Sequence, residues 1–381
     1  MHRTIKLLLT PTPEQHQALS ETLRQFTECF NSVCAVGWDS EEKNGVKLHH
    51  ATYYPLKEQY PQLVSDLHIQ ARMKATEAVK SAFTRQKQGR KVGQPRSRSC
   101  PVRYNNHTFR VDWIKGEVNL SSVAGRLKLP FTVPAYASKY LSQPHQAVMG
   151  DLILKKGRLW LHVVVDLPTP QVEPSTEVVG VDLGVTRPAV TSNNKFLGQQ
   201  HWKELENRTF RLRRSLQAKG TKSAKRHLRK LSGKQLRRRR DHDHVVSKRI
   251  VQNTQSGGTI VLENLTDIRK RAKQRKGKQN RRFHGWSFAQ LADFIAYKAE
   301  EQGISVVFID PRNTSKTCSK CGHCHRSNRR SQAVFKCRQC SYELNADLNG
   351  ARNIRLKSLA GGGISPASGS LSVGLTSQPS G

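Results

Sequence analysis

Three carboxylates stand where an apolar strand or a helix would deliver them to an edge. Asp182 closes the run Val178-Val179-Gly180-Val181, and Glu263 closes Thr259–Leu262. Asp347 opens Asp347-Leu348-Asn349-Gly350-Ala351-Arg352-Asn353-Ile354. An acid at the end of a buried strand emerges at the sheet rim, where it can share a cleft with others. Three such acids could hold two Mg²⁺ ions about 3.5–4 Å apart, one activating water and the other stabilising the leaving 3′ oxygen of a phosphodiester. Each acid alone has a plainer reading: Asp347 as a helix N-cap, Glu263 as a rim acid paired to an arginine. The set argues for chemistry, the more so in a chain with 28 acids against 65 Lys and Arg.

A second constellation is made of cysteines. Five of the eight crowd into Cys318–Cys340, while Cys29, Cys34 and Cys100 are isolated and need be no more than buried or free thiols. Cys318-Ser-Lys-Cys321 and Cys337-Arg-Gln-Cys340 form C-x₂-C pairs with 15 residues between them. Two such knuckles offer four thiolates to a tetrahedral Zn²⁺, which a small ribbon needs in order to fold. Cys324 extends the first pair to C-x₂-C-x₂-C, but the fourth Cys and following Pro of a ferredoxin pattern are missing. Cys324, His323 and His325 remain open as substitute ligands. Asp241-His242-Asp243-His244 is set aside as a metal motif, because sequence neighbours on a helix point to different sides. Gly180–Thr186 also resembles the first phosphate loop of actin-like and sugar-kinase ATPases. No second Gly-rich phosphate loop follows, and a Walker A pattern is absent.

The elements that must position these groups can be read from periodicity. Thr4–Leu9 reads as a strand. Thr12-Pro13-Glu14-Gln15 reads as a capping box, opening a helix with Leu19, Leu23, Phe26, Phe30 and Val33 on one face. A second helix is expected from about Leu67 to Lys87, ending in the basic loop Arg85–Arg98. Between Val102 and Leu167, short alternating runs predict a small antiparallel sheet or barrel. Pro168, Pro170 and Pro174 mark a linker. From Glu177 the order is a strand meander, turning at Asn193-Asn194, then helix, strand, helix, strand, which fits a mixed α/β layer. Ser287 and Gln290 are expected to form a capping box for a helix carrying Phe288, Leu291, Ile295 and Ala299, with Gly303 at its C-terminal end. After Leu359 the Gly/Ser/Pro-rich tail lacks a core pattern and is expected to be disordered.

The net charge is +37 over 381 residues. Self-repulsion on that scale asks for a polyanion, and nucleic acid is the obvious one. The charge is clustered. Lys203–Arg240 holds 16 Lys/Arg against Glu204 and Glu206, and nine of the fourteen residues Arg269–Arg282 are basic. Runs such as Leu236–Arg240 could pass for nuclear-import signals but serve nucleic acid equally well. No apolar run approaches the ~18 residues of a membrane span, and Leu7-Leu8-Leu9 is too short for a signal peptide. A soluble, cytoplasmic protein is expected, without membrane partners.

These pieces resemble the TnpB family encoded by IS200/IS605-type and IS607-type insertion sequences, compact relatives of type V CRISPR effectors. The resemblance rests on Gly180–Gly184, Leu262-Glu263-Asn264-Leu265, Trp286, Tyr297-Lys298, Ser315–Gly322, Phe335–Cys340 and Asp347–Ile354. It covers Glu177 to Ile354 specifically and the N-terminal half more loosely, through Leu7–Gln15 and Gly89–Arg96. It implies an RNase H-like RuvC nuclease domain (176–313 and 342–358) with an inserted zinc ribbon (314–341). A wedge-like β-barrel (1–10 and 100–175) would precede it, with a helical recognition domain (11–99) inserted and a tail at 359–381. It further implies an Mg²⁺-dependent, RNA-guided DNA endonuclease of a transposable element, with Asp182, Glu263 and Asp347 as metal-binding catalytic acids and Cys318, Cys321, Cys337 and Cys340 as zinc ligands. The partners would be a guide RNA from the element's end and a double-stranded DNA target read beside a short flanking motif. A monomer is expected, in a prokaryotic cytoplasm and at the nucleoid. Alternatives are an RNA-guided DNA-binding regulator that does not cut, and a transposase or its accessory protein. Asn345 departs from the acid that many relatives carry two residues before Asp347.

Overall fold

The computed structural model describes residues 1–198, 202–266, 268–271, 277–361 and 363–366. The chain divides into two compact units, Met1–Pro168 and Thr169–Gly381.

In the first unit, β1 (His2–Leu9) leads to α1 (Pro13–Asp39). The expected capping box is present: the Thr12 hydroxyl accepts from the Gln15 N–H, and the Gln15 side chain accepts from the Thr12 N–H. The sequence reading did not mark α2 (Gly45–Gln59), which carries Pro55 internally and buries only Leu48, Thr52 and Leu56. Asn44 starts it, its side chain accepting from the Val46 N–H. After α3 (Ser65–Lys87) come β2 (Val102–Tyr104), β3 (Phe109–Asp112), β4 (Glu117–Ser122), β5 (Gly125–Thr132), the short α4 (Ser138–Leu141), β6 (Gln146–Lys155) and β7 (Arg158–Asp166). The strands form one near-closed barrel sheet in the order β2-β6-β7-β1-β5-β4-β3. The first strand of the chain thus lies mid-sheet, with Ile5 opposite Val163 and Leu7 opposite Leu161. These residues share a single apolar core with Phe26, Leu67 and Val79 of the helices. Lys74 of α3 donates to Asp151 of β6 at 2.8 Å and to the Pro101 carbonyl at 2.9 Å, fixing helix to sheet.

In the second unit, β8 (Val178–Asp182), β9 (Ala189–Thr191) and β10 (Phe196–Leu197) form the meander. The basic stretch makes two helices, α5 (Trp202–Lys219) and α6 (Lys222–Gln252). Then follow β11 (Thr259–Glu263), α7 (Ile268–Arg271), α8 (Gly277–Gly285), α9 (Phe288–Glu300), β12 (Ser305–Ile309), the small hairpin β13 (Val334–Lys336) and β14 (Glu343–Asn345), α10 (Ala346–Leu359) and β15 (Gly363–Pro366). The main sheet runs β10-β9-β8-β11-β12-β15, with β8, β11 and β12 parallel. Period-two alternation divides its two faces. Val179, Val181, Ile260 and Leu262 pack with Val246 and Ile250 of α6 and Leu291 and Ile295 of α9. Val261 and Ile309 pack with Ile354 of α10 on the other face.

Two expectations meet corrections. Ser287 precedes α9 but makes no capping bond. Instead Ser287 and Gln290 both donate to Asp243 Oδ2 of α6, each at 2.7 Å. A buried carboxylate reaching across from another helix has displaced the local box. It also explains Asp243 without a metal. In the tail, β15 pairs antiparallel with the edge strand β12, because backbone hydrogen bonds need no core pattern. The remaining tail, 367–381, and residues 272–276 of the basic loop lie outside the described residues. No helix among the described residues is long and apolar enough to cross a membrane.

Candidate active site and metal centre

Asp182 and Glu263 end neighbouring parallel strands, and the register Leu262↔Val181 sets them side by side. By alternation both lie on the face that α10 covers. The glycines of the two motifs let that helix come close. A Cβ on Gly180 would stand 2.3 Å from the Ala351 carbonyl oxygen, and one on Gly350 would stand 3.0 Å from Asp182 Oδ2. Asp347 occupies the first turn of α10. It is not the cap: Asn345 caps the helix, its Oδ1 accepting from the Asp347 and Leu348 N–H groups at 3.1 and 3.2 Å. The Asp347 carboxylate is thereby left for the site.

Asp182 senses the other two acids. Burial, then the charges of Glu263 and Asp347, push the Asp182 carboxyl up to about 8, while Arg329 pulls against them. Burial also raises Glu263, offset by the hydrogen bond from Thr314 and by Lys357 and Arg329. Asp347 is raised by burial and held back by Arg329 and Arg187. Among the described residues Glu263 is hydrogen-bonded not to an arginine but to Thr314, its Oε1 accepting from the hydroxyl at 2.6 Å. Arg329 instead bonds Asp347 Oδ1 at 3.2 Å. Among the described residues the three carboxylates do not close to the 4.8 Å spacing that the cysteines reach. Three carboxyls raised by burial, with the Arg329 guanidinium beside them, are the oxygen donors that a hard cation takes.

Cys318, Cys321, Cys337 and Cys340 converge, all four sulfurs lying within 4.8 Å of one another. Cys318 and Cys340 Sγ are 3.7 Å apart, and Cys321 and Cys337 Sγ 3.6 Å. Thiolates ~2.3 Å from a tetrahedral ion would have edges of about 3.8 Å, so the quartet could hold a metal such as zinc. His323, Cys324 and His325 stand outside it; the His325 ring accepts from the Ser327 N–H in a local turn. Asp241–His244 continue within α6.

Sequence reasoning missed the residues that join the two centres. Asn349 and Asn353, one turn apart on α10, both donate to the Thr317 carbonyl, at 2.8 and 2.6 Å. Asn353 also donates to the Thr314 carbonyl at 2.8 Å. Asn328, fully buried, donates to the carbonyls of Lys316 and His323 and accepts from the Arg338 N–H. It ties both knuckles together directly before Arg329. The signal available in sequence was the i, i+4 asparagine pair in Asp347–Ile354. Arg187, in the turn after Asp182, lies over the ring of half-exposed Phe196, 4.7 Å from its centroid.

The architecture is similar to that of solved Cas12 structures. A solved Cas12f1–sgRNA–target DNA complex superposes with a TM-score of 0.66 at 18% identity, covering 90% of this chain and 83% of that one. The resemblance to the TnpB family read from the motifs is borne out by sequence comparison. Residues 162–282 match the family described as "Probable transposase", and residues 288–354 match "Cas12f1-like, TNB domain". The CRISPR-associated endodeoxyribonuclease Cas12f1 of Sulfoacidibacillus thermotolerans is 47% identical over 102 residues, 27% of this chain and 22% of that protein. A TnpB-like protein of Methanocaldococcus jannaschii is 32% identical over 130 residues, 34% of this chain and 46% of the other. The matched stretch spans less than half the length of either relative.

Proposed function

We propose that the chain is an RNA-guided DNA endonuclease of the TnpB type, encoded by a transposable element, that cuts target DNA by RuvC-type phosphodiester hydrolysis. The observation that carries this reading is the placement of Asp182 and Glu263 at adjacent parallel strand ends, on the sheet face covered by α10, whose first turn carries Asp347. The β8–β12 sheet with α10 is then the RNase H-like nuclease domain, 176–313 and 342–358. Residues 314–341 are its zinc ribbon, 1–10 with 100–175 the wedge barrel, and 11–99 the helical recognition domain. Guide RNA and double-stranded DNA are the partners, in keeping with the net charge of +37 and with the complex described for the Cas12f1 structure.

Asp182, Glu263 and Asp347 would hold Mg²⁺, and Cys318, Cys321, Cys337 and Cys340 would hold Zn²⁺. Bound Mg²⁺ supplies activation of the attacking water and stabilisation of the departing 3′ oxygen. The chain's own residues set the stage for it. The Thr314 hydroxyl orients Glu263. Asn345 takes over capping so that Asp347 remains available. Arg329, delivered by the ribbon, places positive charge beside the carboxylates, where a phosphate must come to react. The basic faces of α5 and α6 grip the backbone, and guide pairing supplies sequence choice. All three acids are present, which separates this chain from a regulator that binds without cutting.

The test is Asp182→Ala with a guide and a matched plasmid. RNA-guided binding should persist, and cleavage should fall below detection. Full cleavage by the variant would overturn the site assignment.

A further inference from the structure

The barrel unit carries a concavity that the hydrolytic site does not use. It measures about 570 Å³ and is lined by Arg110, Val111, Asp112, Trp113, Ile114, Asn119 and His145. That lies within the ~300–1,000 Å³ of a small-ligand pocket. The Trp113 indole in its lining is partly buried against the barrel core and lies steeply across the rings of Phe131 and His145, 5.8 and 6.0 Å between centroids. The His145 Nδ1 lies 2.8 Å from the Gln143 carbonyl. That contact calls for a proton on Nδ1, so the neutral ring offers Nε2 as an acceptor. Asp112 is occupied, its Oδ1 accepting from the Ile114 and Lys115 N–H groups. Ile114 is 100% exposed.

The sheet beside this pocket is organised. Arg110 of β3 stands opposite Asn119 of β4, and Asn119 opposite Lys128 of β5. Period-two geometry puts all three on one face, with the Lys128 ammonium paired to Glu117 at 2.8 Å and Arg110 lining the pocket. A stacking ring, an amide that can donate and accept, an imidazole acceptor and a flanking arginine are the parts that hold one unpaired base and its phosphate.

We propose that the Trp113 pocket binds an unpaired nucleotide, its base stacked on the indole and read by Asn119 and His145, its phosphate met by Arg110. The inference deepens the nucleic-acid reading, rests on it for the partner class, and is independent of the cutting step.

The test measures binding of the full chain to a single-stranded RNA, the same-sequence DNA and a blunt duplex, by filter retention across a salt series. Trp113→Ala should weaken single-strand binding about tenfold to a hundredfold, with an unchanged salt slope and unchanged duplex binding. Trp113→Phe should recover most of it. Asn119→Ala, which leaves the indole packing intact, should lose discrimination among homopolymers. Comparing the RNA and DNA arms identifies which strand supplies the nucleotide. Equal losses on duplex and single strand, or no loss in either the Trp113 or Asn119 variant, would overturn the proposal. Asp182→Ala failing to abolish cleavage would instead overturn the nuclease reading and leave this result standing.

Discussion

At the scale of single residues, the site is defined by carboxylates that resist being charged together. Asp182 is raised from its ordinary range to about 8 by burial and by its two acidic neighbours. The sign of the consequence follows. A carboxyl whose folded value lies above its unfolded value stabilises the fold fully below the unfolded value, and that contribution is lost as pH rises through the folded one. Asp182→Asn, without added Mg²⁺, should therefore gain stability over the parent progressively between about pH 4 and pH 8, by a few kcal/mol at most, then level off. Urea midpoints measured across that range check it, and a pH-independent difference would contradict the burial argument. Thr314 gives a second prediction. Its hydroxyl bonds Glu263 at 2.6 Å, and Thr314→Val should lower cleavage about 10–100-fold, as loss of a partner that orients a metal ligand does. The fold should lose only about 1 kcal/mol. Single-turnover rates beside thermal melts separate the two effects.

At the scale of elements, the decisive contact is α10 laid on β8. A Cβ at Gly180 would meet the Ala351 carbonyl at 2.3 Å, a backbone atom that cannot swing away. Gly180→Ala should destabilise the unit by about 1–3 kcal/mol and lower activity by shifting Asp347, whereas Gly233→Ala in α6, whose Cβ would meet only the flexible end of Arg237 at 3.4 Å, should do neither. Melting curves of the two variants decide it. Here the sequence was most readable. Buried strands ending in acids, the Thr12 capping box and the paired cysteines all announce themselves, because each depends on residues close together along the chain. What escaped notice depends on partners far away. Asp243 draws Ser287 and Gln290 from 44 and 47 residues downstream. Asn349 and Asn353 read as ordinary helix polar residues until the Thr317 carbonyl lies beneath them. No local pattern encodes such meetings. The weak apolar stripe of α2, with Pro55 inside, hid a whole helix for the complementary reason: local signals there argue against what packing enforces.

At the scale of the whole molecule, charge dominates. Lys225, Arg226, Arg229 and Lys230 lie on exposed positions of α6. Replacing all four by Gln should leave the melting temperature unchanged and flatten the salt dependence of duplex binding. The slope of log K against log salt should fall by up to about 0.9 for each phosphate contact removed. An unchanged slope would show that α6 faces away from the backbone it is proposed to grip.

The asparagine ties between α10 and the cysteine ribbon have one more implication. Arg329 and the Thr314 segment both hang from a module whose shape depends on four thiols staying together. On the proposed reading, a cell starved of the ion these thiols would hold, or under oxidants that reach them, would own a protein still able to find its target but no longer able to sever it. Scission would then be conditional on trace-element supply, a dependence wired into the scaffold rather than added by any regulator.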